Sequence, residues 1–417
     1  EAGASAVTEA TTGSGAVAGA GADSGSKSLL VQADAPTTTR KTNPNTIVRF
    51  LRLGRIKFMT ILGTGIRIHK SRGTQTIVLY FTLDSSQRIQ ASPLPRLRRG
   101  RMIQVLNAIT VLTTENQGGI AVKVGFIGVG FMGRHMARNI LKGGHDLTVF
   151  DINKDAAEEL LSLGATWAAS PRAAAEASEV VFTSLPRPQD VEEVTTGEGG
   201  LMSGMSSGTA YFDLSTTDPS TIKRIAEAGN ARGVQVLDAP VSGGTGGAEA
   251  ATLCVMVGGD KDTYDKFKPV LDLIGDKAMY CGGLGSGAVS KIVNNLIGLS
   301  VGVLLSEAFT MGIKAGVDAQ TLFEAVSGSS GNTTSMRSFP NGIFQRNFEP
   351  GFQVDLAAKD VGLATQLGRD LRVPMEMSNI AQQRYIVAQN KGWGRLAAGA
   401  VARVQEERSG VEIKPNE

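Results

Sequence analysis

The sequence predicts an α/β domain built on a mostly parallel sheet, followed by an all-helical domain. Three observations predict it. Short apolar runs recur at 124–127, 147–150, Val180–Leu185, Ala210–Leu214, Val234–Leu237 and Thr252–Val257. Helical patterns separate most of them, among them Asp155–Leu163 and Ser220–Arg232. Strand-length runs alternating with helices mark crossover units, which put helices on both faces of a parallel sheet. From about residue 286 the strand runs stop, and one helical pattern from Ser286 to Ala315 opens the remainder. The reading divides the chain into residues 1–120, 121–285 and 286–417.

The first unit of this domain carries chemistry. Val124–Ile127 leads into Gly128-Val129-Gly130-Phe131-Met132-Gly133, and a helix follows with Met136, Ala137, Ile140 and Leu141 on one face. A second apolar run, Leu147 to Phe150, ends in Asp151. Strand, glycine turn, helix, strand and acid make a Rossmann-like dinucleotide site. Gly128 permits the tight turn, Gly130 lets backbone approach a pyrophosphate, and Gly133 lets helix and strand pack closely. The helix N-terminus offers N–H groups and a positive dipole end to phosphate. Asp151 can accept hydrogen bonds from an adenosine ribose.

Composition bounds the alternatives. The chain of 417 residues is long enough for two or three domains. Its two cysteines, Cys254 and Cys281, have no CxxC and no nearby histidine, which argues against a disulfide framework and a metal site. No uninterrupted run of 18 apolar residues occurs, so no membrane span is expected. The net charge of +3 hides an asymmetry: residues 1–120 hold 15 Lys/Arg and 6 Asp/Glu, the rest 27 and 33.

The leader is a different kind of sequence. Residues 1–26 are rich in Ala, Gly, Ser and Thr and are expected to be disordered. Residues 27–101 are basic, with strands expected over Arg55–His69 and Thr74–Leu83, and the cluster Pro93 to Arg99 cannot be a helix interior. Three readings stay open: an organellar targeting region, a nucleic-acid-binding segment, or upstream sequence joined to an enzyme. The last is favoured, with Met102 as a candidate start. A cytoplasmic location is expected, or an organellar one if the leader targets.

A hydride-transferring site needs a group to hold the alcohol proton. His69 lies in the leader, His135 on the first turn of the nucleotide helix, and His145 at the turn before the second strand. None is placed to meet a substrate. Tyr264 and Lys268 have a Tyr-xxx-Lys spacing, but they sit in a charged helix after the last strand, where Tyr264 and Phe267 are expected to pack inward. Lys291 remains. It shares a helix face with Asn295, among apolar Val289, Ile292, Val293 and Leu296 that suggest a substantially buried helix. Burial favours the neutral amine, which suits a general acid/base. A packed stem with a head that reaches water is the competing reading, and spacing alone leaves both open.

Taken together, residues 122 to about 413 resemble the β-hydroxyacid dehydrogenase family. Four motifs fall in the family's order: Gly128 to Gly133, Asp238-Ala239-Pro240-Val241-Ser242-Gly243-Gly244, Gly287-xxx-Lys291-xx-Asn294-Asn295, and Lys359-Asp360. The resemblance implies Lys291 as general acid/base, with Asn295 orienting substrate and Ser242, Gly243 and Gly244 holding its carboxylate. It implies Leu185-Pro186, Thr216 and Lys359 as cofactor contacts beside the glycine loop. The family's NADP-type members carry an Asn-Arg pair after the second strand. Asp151-Ile152-Asn153-Lys154 stands there instead, which favours NAD over NADP.

The resemblance therefore implies an NAD-dependent oxidoreductase interconverting a short 3-hydroxy acid and its semialdehyde, of the 3-hydroxyisobutyrate or tartronate semialdehyde type. Glyoxylate or succinic semialdehyde reduction would use the same machinery. Imine reduction is a further reading within the fold, as is an idle domain tethered to nucleic acid by the leader. Lys291 and Asn295 speak against an idle domain, and the retained lysine speaks against imine reduction. The leader has no counterpart in the family. Gly298, Gly302 and Gly312 suggest close helix packing in a homodimer or homotetramer.

Overall fold

The computed structural model describes residues 121–349 and 351–416, with four strands in residues 49–80. Residues 1–118 and 119–417 are separate units. In the first, β1 (Arg49–Leu53) pairs antiparallel with β2 (Ile56–Thr60), and β3 (Gly65–Ser71) with β4 (Thr74–Tyr80). The one strand expected over Arg55–His69 is thus two, and β1 has no counterpart in the sequence reading. The expectations for residues 1–26, for Pro93 to Arg99 and for Met102 lie outside the described residues.

The second unit holds a nine-stranded sheet. Its strands are β5 (Lys123–Ile127), β6 (Asp146–Phe150), β7 (Thr166–Trp167), β8 (Val180–Thr183), β9 (Ala210–Asp213), β10 (Gln235–Asp238), β11 (Val241–Ser242), β12 (Cys254–Gly258) and β13 (Lys277–Gly282). Six run parallel in the order β7-β6-β5-β8-β9-β10, so the winding reverses between β5 and β8. At such a switch point the strand ends splay apart and leave a crevice for a ligand. β12 runs antiparallel to β10 and β11, and β13 pairs parallel with β12. The two-residue β7 and β11 and the largely exposed β13 carry no apolar run that a sequence reading could detect.

Register explains the core. Phe126, Phe182 and Phe212 stand side by side on β5, β8 and β9, with ring centroids 6.2 and 5.3 Å apart. Their neighbours Ile127, Val181 and Tyr211 point to the other face, so two hydrophobic clusters sandwich the sheet. Each fully buried Phe contributes roughly 1.5–3 kcal/mol relative to exposure.

The helices on this sheet are α1 (Gly133–Lys142), α2 (Glu158–Ser162), α3 (Pro171–Glu176), α4 (Pro188–Thr196), α5 (Leu201–Gly204), α6 (Pro219–Asn230), α7 (Gly244–Glu249) and α8 (Lys261–Leu271). Local chemistry starts several of them. Pro opens α3, α4 and α6, where its missing N–H costs nothing. Asp218 caps α6, accepting from the N–H groups of Ser220 and Thr221 at 3.0 and 2.9 Å.

The helical part comprises α9 (Ser286–Lys314), α10 (Ala319–Ser327), α11 (Val354–Asp370), α12 (Glu376–Asn390) and α13 (Ala402–Ser409). It packs around two clusters of its own. The helix α9 is not buried as its apolar composition suggests. Ile292 is buried, but Val289 and Val293 are exposed, as are Ile297, Leu304 and Met311. No residue from 293 to 302 is buried. Of the three glycines only Gly312 packs tightly within the chain, where an added Cβ would lie 2.7 Å from Leu322. A Cβ on Gly298 would meet nothing within 4 Å. By length and composition α9 is also long and apolar enough to cross a membrane, with a mean hydropathy of 1.8. Gly, Ser and Asn residues interrupt its apolar run, so no unbroken stretch of 18 apolar residues marks it in the sequence.

Candidate active site

The glycine loop follows β5 at the switch point. Gly128 has φ +87°, and a Cβ there would lie 2.4 Å from Ser184 O. A Cβ on Gly133 would lie 1.9 Å from Gly128 O, so only glycine lets α1 turn back onto the loop. Gly130 differs: a Cβ would meet no protein atom within 4 Å. The space over Gly130 is open on the side where a pyrophosphate would approach. No side chain caps α1, and no acid stands in its first turn. Arg134 N–H donates to Gly130 O at 3.1 Å and His135 N–H to Met132 O at 3.2 Å, so what the turn offers an anion is the positive dipole end with no acid against it. The loop fits a dinucleotide.

A cleft of about 380 Å³ opens from this loop, within the usual range for a small-molecule site. Gly130–Gly133 line one side, and Ser184–Pro186 and Leu214–Thr216, which follow β8 and β9, line the next. Val241–Gly244 come from the turn at β11. Gly243 and Gly244 have φ of +142° and +66°, a backbone that L side chains rarely adopt. The short helix α7 that follows carries no side-chain cap. The far wall is Lys291 from α9, with Phe352, Leu356, Lys359 and Asp360 from α11 and the loop before it.

Lys291 is placed by its helix. The carboxylate of Asp238, buried at the end of β10, accepts from Gly285 N–H and Ala288 N–H, each at 2.7 Å. It serves as the N-cap that Gly285 itself cannot provide. Gly287 fits only as glycine, since a Cβ would lie 2.2 Å from Met256 O. This docking fixes the first turn of α9 and sets Lys291 one turn on, 8% exposed, facing the cleft.

Burial and nearby charges act on the Lys291 amine in opposing senses. Burial lowers the Lys291 pKa from the usual lysine value, and the Lys359 ammonium lowers it further. Asp360 and Cys254 oppose the shift. The Asp360 carboxylate accepts from Asn295 Nδ2 at 2.6 Å, and its Oδ1 lies 3.0 Å from Lys359 Nζ, an ion contact outside hydrogen-bond geometry. Lys359 Nζ also donates to Thr216 O at 2.8 Å, tying α11 to the loop after β9.

A pH-rate profile should report this balance. With Lys291 as the base of the alcohol oxidation that the sequence suggests, kcat/KM for oxidation would rise with pH through a limb below the ordinary lysine pKa. Asp360→Asn removes a charge that raises the pKa and should move that limb to lower pH. Lys359→Met removes one that lowers it and should move the limb up. Limbs that stay put in both variants would refute the assignment to Lys291.

The cleft gathers Gly130, Phe131, Met132, Gly133, Leu185, Pro186, Thr216, Ser242, Gly243, Gly244, Lys291 and Lys359 as the sequence suggested. Other expected contacts stand elsewhere. Gly128 and Val129 are buried behind the loop, and Val129 N–H donates to Asp151 Oδ2 at 2.8 Å instead of facing a phosphate. Asn295 is not in the cleft wall; its amide holds Asp360, because α9 turns that face toward α11. Asn294 Nδ2, one residue earlier, lies 3.5 Å from Ser242 Oγ.

Phe352, Leu356 and Asp360 also line the cleft, a placement that no motif in the sequence announces. Spacing of 356, 359 and 360 on one helix face was the available signal. The rejected candidates stay rejected. His145 Nδ1 accepts from Val122 N–H at 3.2 Å, and His135 sits beside Arg138 at 3.3 Å; burial lowers both pKa values. Tyr264 is buried and donates to Ala278 O at 2.8 Å, away from the cleft. Both cysteines are free, and no cluster of metal-ligating side chains occurs among the described residues.

Residues 123–283 match the family model described as the NAD binding domain of 6-phosphogluconate dehydrogenase. Residues 285–405 match the model described as the NAD-binding domain of NADP-dependent 3-hydroxyisobutyrate dehydrogenase. The chain is 38% identical over 294 residues to 2-(hydroxymethyl)glutarate dehydrogenase of Eubacterium barkeri, covering 70% of this chain and 98% of that one. It is 35% identical to 2-hydroxy-3-oxopropionate reductase of Escherichia coli K12, over 68% of this chain and 97% of the relative. Among solved structures, Mycobacterium tuberculosis 3-hydroxyisobutyrate dehydrogenase with L-serine superposes with a TM-score of 0.63 at 30% identity. That match covers 68% of this chain and 99% of the other.

Proposed function

The chain belongs to the β-hydroxyacid dehydrogenase family, and on that premise we propose that it interconverts a short 3-hydroxy acid and its semialdehyde with NAD, using Lys291 as general acid/base. It is an oxidoreductase that acts on a hydroxyl-bearing carbon and takes a nicotinamide cofactor. The observation that carries the finer reading is the meeting, in one cleft, of a buried lysine with a lowered pKa and the Ser242–Gly244 turn. The relatives' names describe acids whose hydroxyl or aldehyde carbon is β to a carboxylate.

Each wall of the cleft has a task in this reaction. The Ser242 hydroxyl and the N–H groups of Gly243 and Gly244 hold the substrate carboxylate. Neutral Lys291 takes the hydroxyl proton during oxidation, and its ammonium returns that proton during reduction. When bound, the nicotinamide accepts or returns the hydride. Phe352 and Leu356 cover the reacting carbon and keep water away. Methyl esters of the substrate acids should lose most turnover through a raised KM; equal turnover of acid and ester would remove the carboxylate-anchoring role.

Asp151 supports NAD over NADP. Its carboxylate stands at the end of β6, where a 2′-phosphate would meet its charge. The nearest candidate cation, Lys154, has its ammonium over the Trp167 ring at 5.7 Å. We expect kcat/KM with NAD to exceed that with NADP by about tenfold or more, which corresponds to about 1.4 kcal/mol. Asp151→Ser should narrow the ratio, and an unchanged ratio would contradict the assignment.

The exposed apolar face of α9 supports a homo-oligomer, in which a second copy covers Val293, Ile297 and Leu304. Light scattering should give a mass above that of one chain, and a monomer at assay concentration would contradict it.

A further inference from the structure

Asp213 lies at the C-terminal end of β9, 1% exposed and behind the cleft wall. Its carboxylate gathers three donors. Oδ1 accepts from Ser215 N–H at 3.0 Å and from the Thr183 hydroxyl at 2.9 Å, and Oδ2 accepts from the Thr217 hydroxyl at 2.5 Å. Thr183 has one hydroxyl hydrogen and gives it to Asp213, so the Tyr211 hydroxyl, 2.7 Å away, is the donor to Thr183. Burial holds the Tyr211 pKa well above its ordinary value, so that donor proton stays in place.

The bonds continue outward to the cleft. Ser215 Oγ accepts from Leu185 N–H at 2.9 Å, which ties the loop after β8 to the loop after β9. Ser215 and Thr217, both held by Asp213, flank Thr216. The Thr216 carbonyl is the acceptor for Lys359 Nζ on α11. One buried carboxylate therefore orders two cofactor-side loops and the acceptor through which the helical part reaches across.

We infer that Asp213 is a positioning residue for hydride transfer: it sets the 184–186 and 214–217 loops against the nicotinamide and presents the Thr216 carbonyl to Lys359. This rests on the cleft being the cofactor site. An acid suits the position because three donors converge there and a carboxylate only accepts. Asparagine can replace it with one adjustment. Its oxygen can accept from Ser215 and Thr183, and its NH2 can donate to the Thr217 hydroxyl once that hydroxyl turns. Alanine offers nothing and leaves the donors unpaired.

The test is NADH binding by the full chain, followed by fluorescence, with steady-state kinetics alongside. Asp213→Ala should weaken NADH about tenfold and lower kcat, while Asp213→Asn stays within about threefold of wild type. Lys359→Ala should weaken NADH when made alone and add little on the Asp213→Ala background, because its anchor is already lost. Ser215→Ala, which leaves Asp213 in place, should raise the NADH Kd about threefold by freeing Leu185. It decides the matter if Asp213→Ala does not fold. NADH bound by folded Asp213→Ala as by wild type, full additivity with Lys359→Ala, or an unchanged Kd in Ser215→Ala when that variant decides would overturn the inference. Failure of wild-type protein to bind either NADH or NADPH would instead overturn the reading of the cleft.

Discussion

Lys291→Ala is expected to lower kcat by about 10²–10⁴-fold while NADH binds as in wild type, the range typical for loss of a positioned acid/base. Lys291 is buried at the cleft wall with a pKa lowered by burial, and neither His135 nor His145 lines the cleft. A thermal melt separates the two causes of lost activity: a folded Lys291→Ala protein that binds NADH but does not turn over has lost chemistry and not structure. Lys291→Arg separates charge from proton exchange. Arginine keeps the positive charge but cannot lose its proton near neutral pH, so it should be nearly as inactive as alanine. Substantial activity in the arginine variant would mean that Lys291 acts only by charge.

Gly130→Ala and Gly133→Ala should fail in different ways, although both sit in one six-residue loop. A methyl on Gly133 would lie 1.9 Å from a backbone oxygen that cannot move away without breaking the turn. That variant should lose about 1–3 kcal/mol of stability through overpacking, and cofactor binding with it. A methyl on Gly130 meets no protein atom, so the fold should melt as wild type does. It would instead fill the space over the loop and weaken NADH by about tenfold or more. Thermal melts beside NADH titrations distinguish the two. A Gly130→Ala protein with wild-type affinity would place the pyrophosphate somewhere else.

Much of this site was legible in the sequence because its parts are local. The glycine loop, the β11 turn and the first turn of α9 are each short segments whose residue types have a direct geometric meaning. What was not legible depends on packing between distant segments. Helix spacing puts Asn295 on the face of Lys291 and the resemblance implies a substrate contact, but only α11 reveals that its amide donates to Asp360. Asp213 and Asp238 sit at strand ends where any acid passes for a turn residue, and their partners lie up to 50 positions away. The burial of α9 was misjudged because apolar composition does not say whether the covering surface belongs to the same chain. Short strands such as β7 and β11 were invisible because two residues have no periodicity.

The central claim is that Lys291 and a bound nicotinamide oxidise a 3-hydroxy acid in this cleft. The most direct test is the rate of reduced-nicotinamide formation by the full chain with NAD. The substrates are 3-hydroxyisobutyrate, 2-(hydroxymethyl)glutarate and serine, with 2-hydroxy-3-oxopropionate in the reverse direction. Steady turnover on at least one of them, abolished in Lys291→Ala, is the expected result. NAD bound normally with no turnover of any acid or aldehyde, or turnover that survives Lys291→Ala, would contradict it.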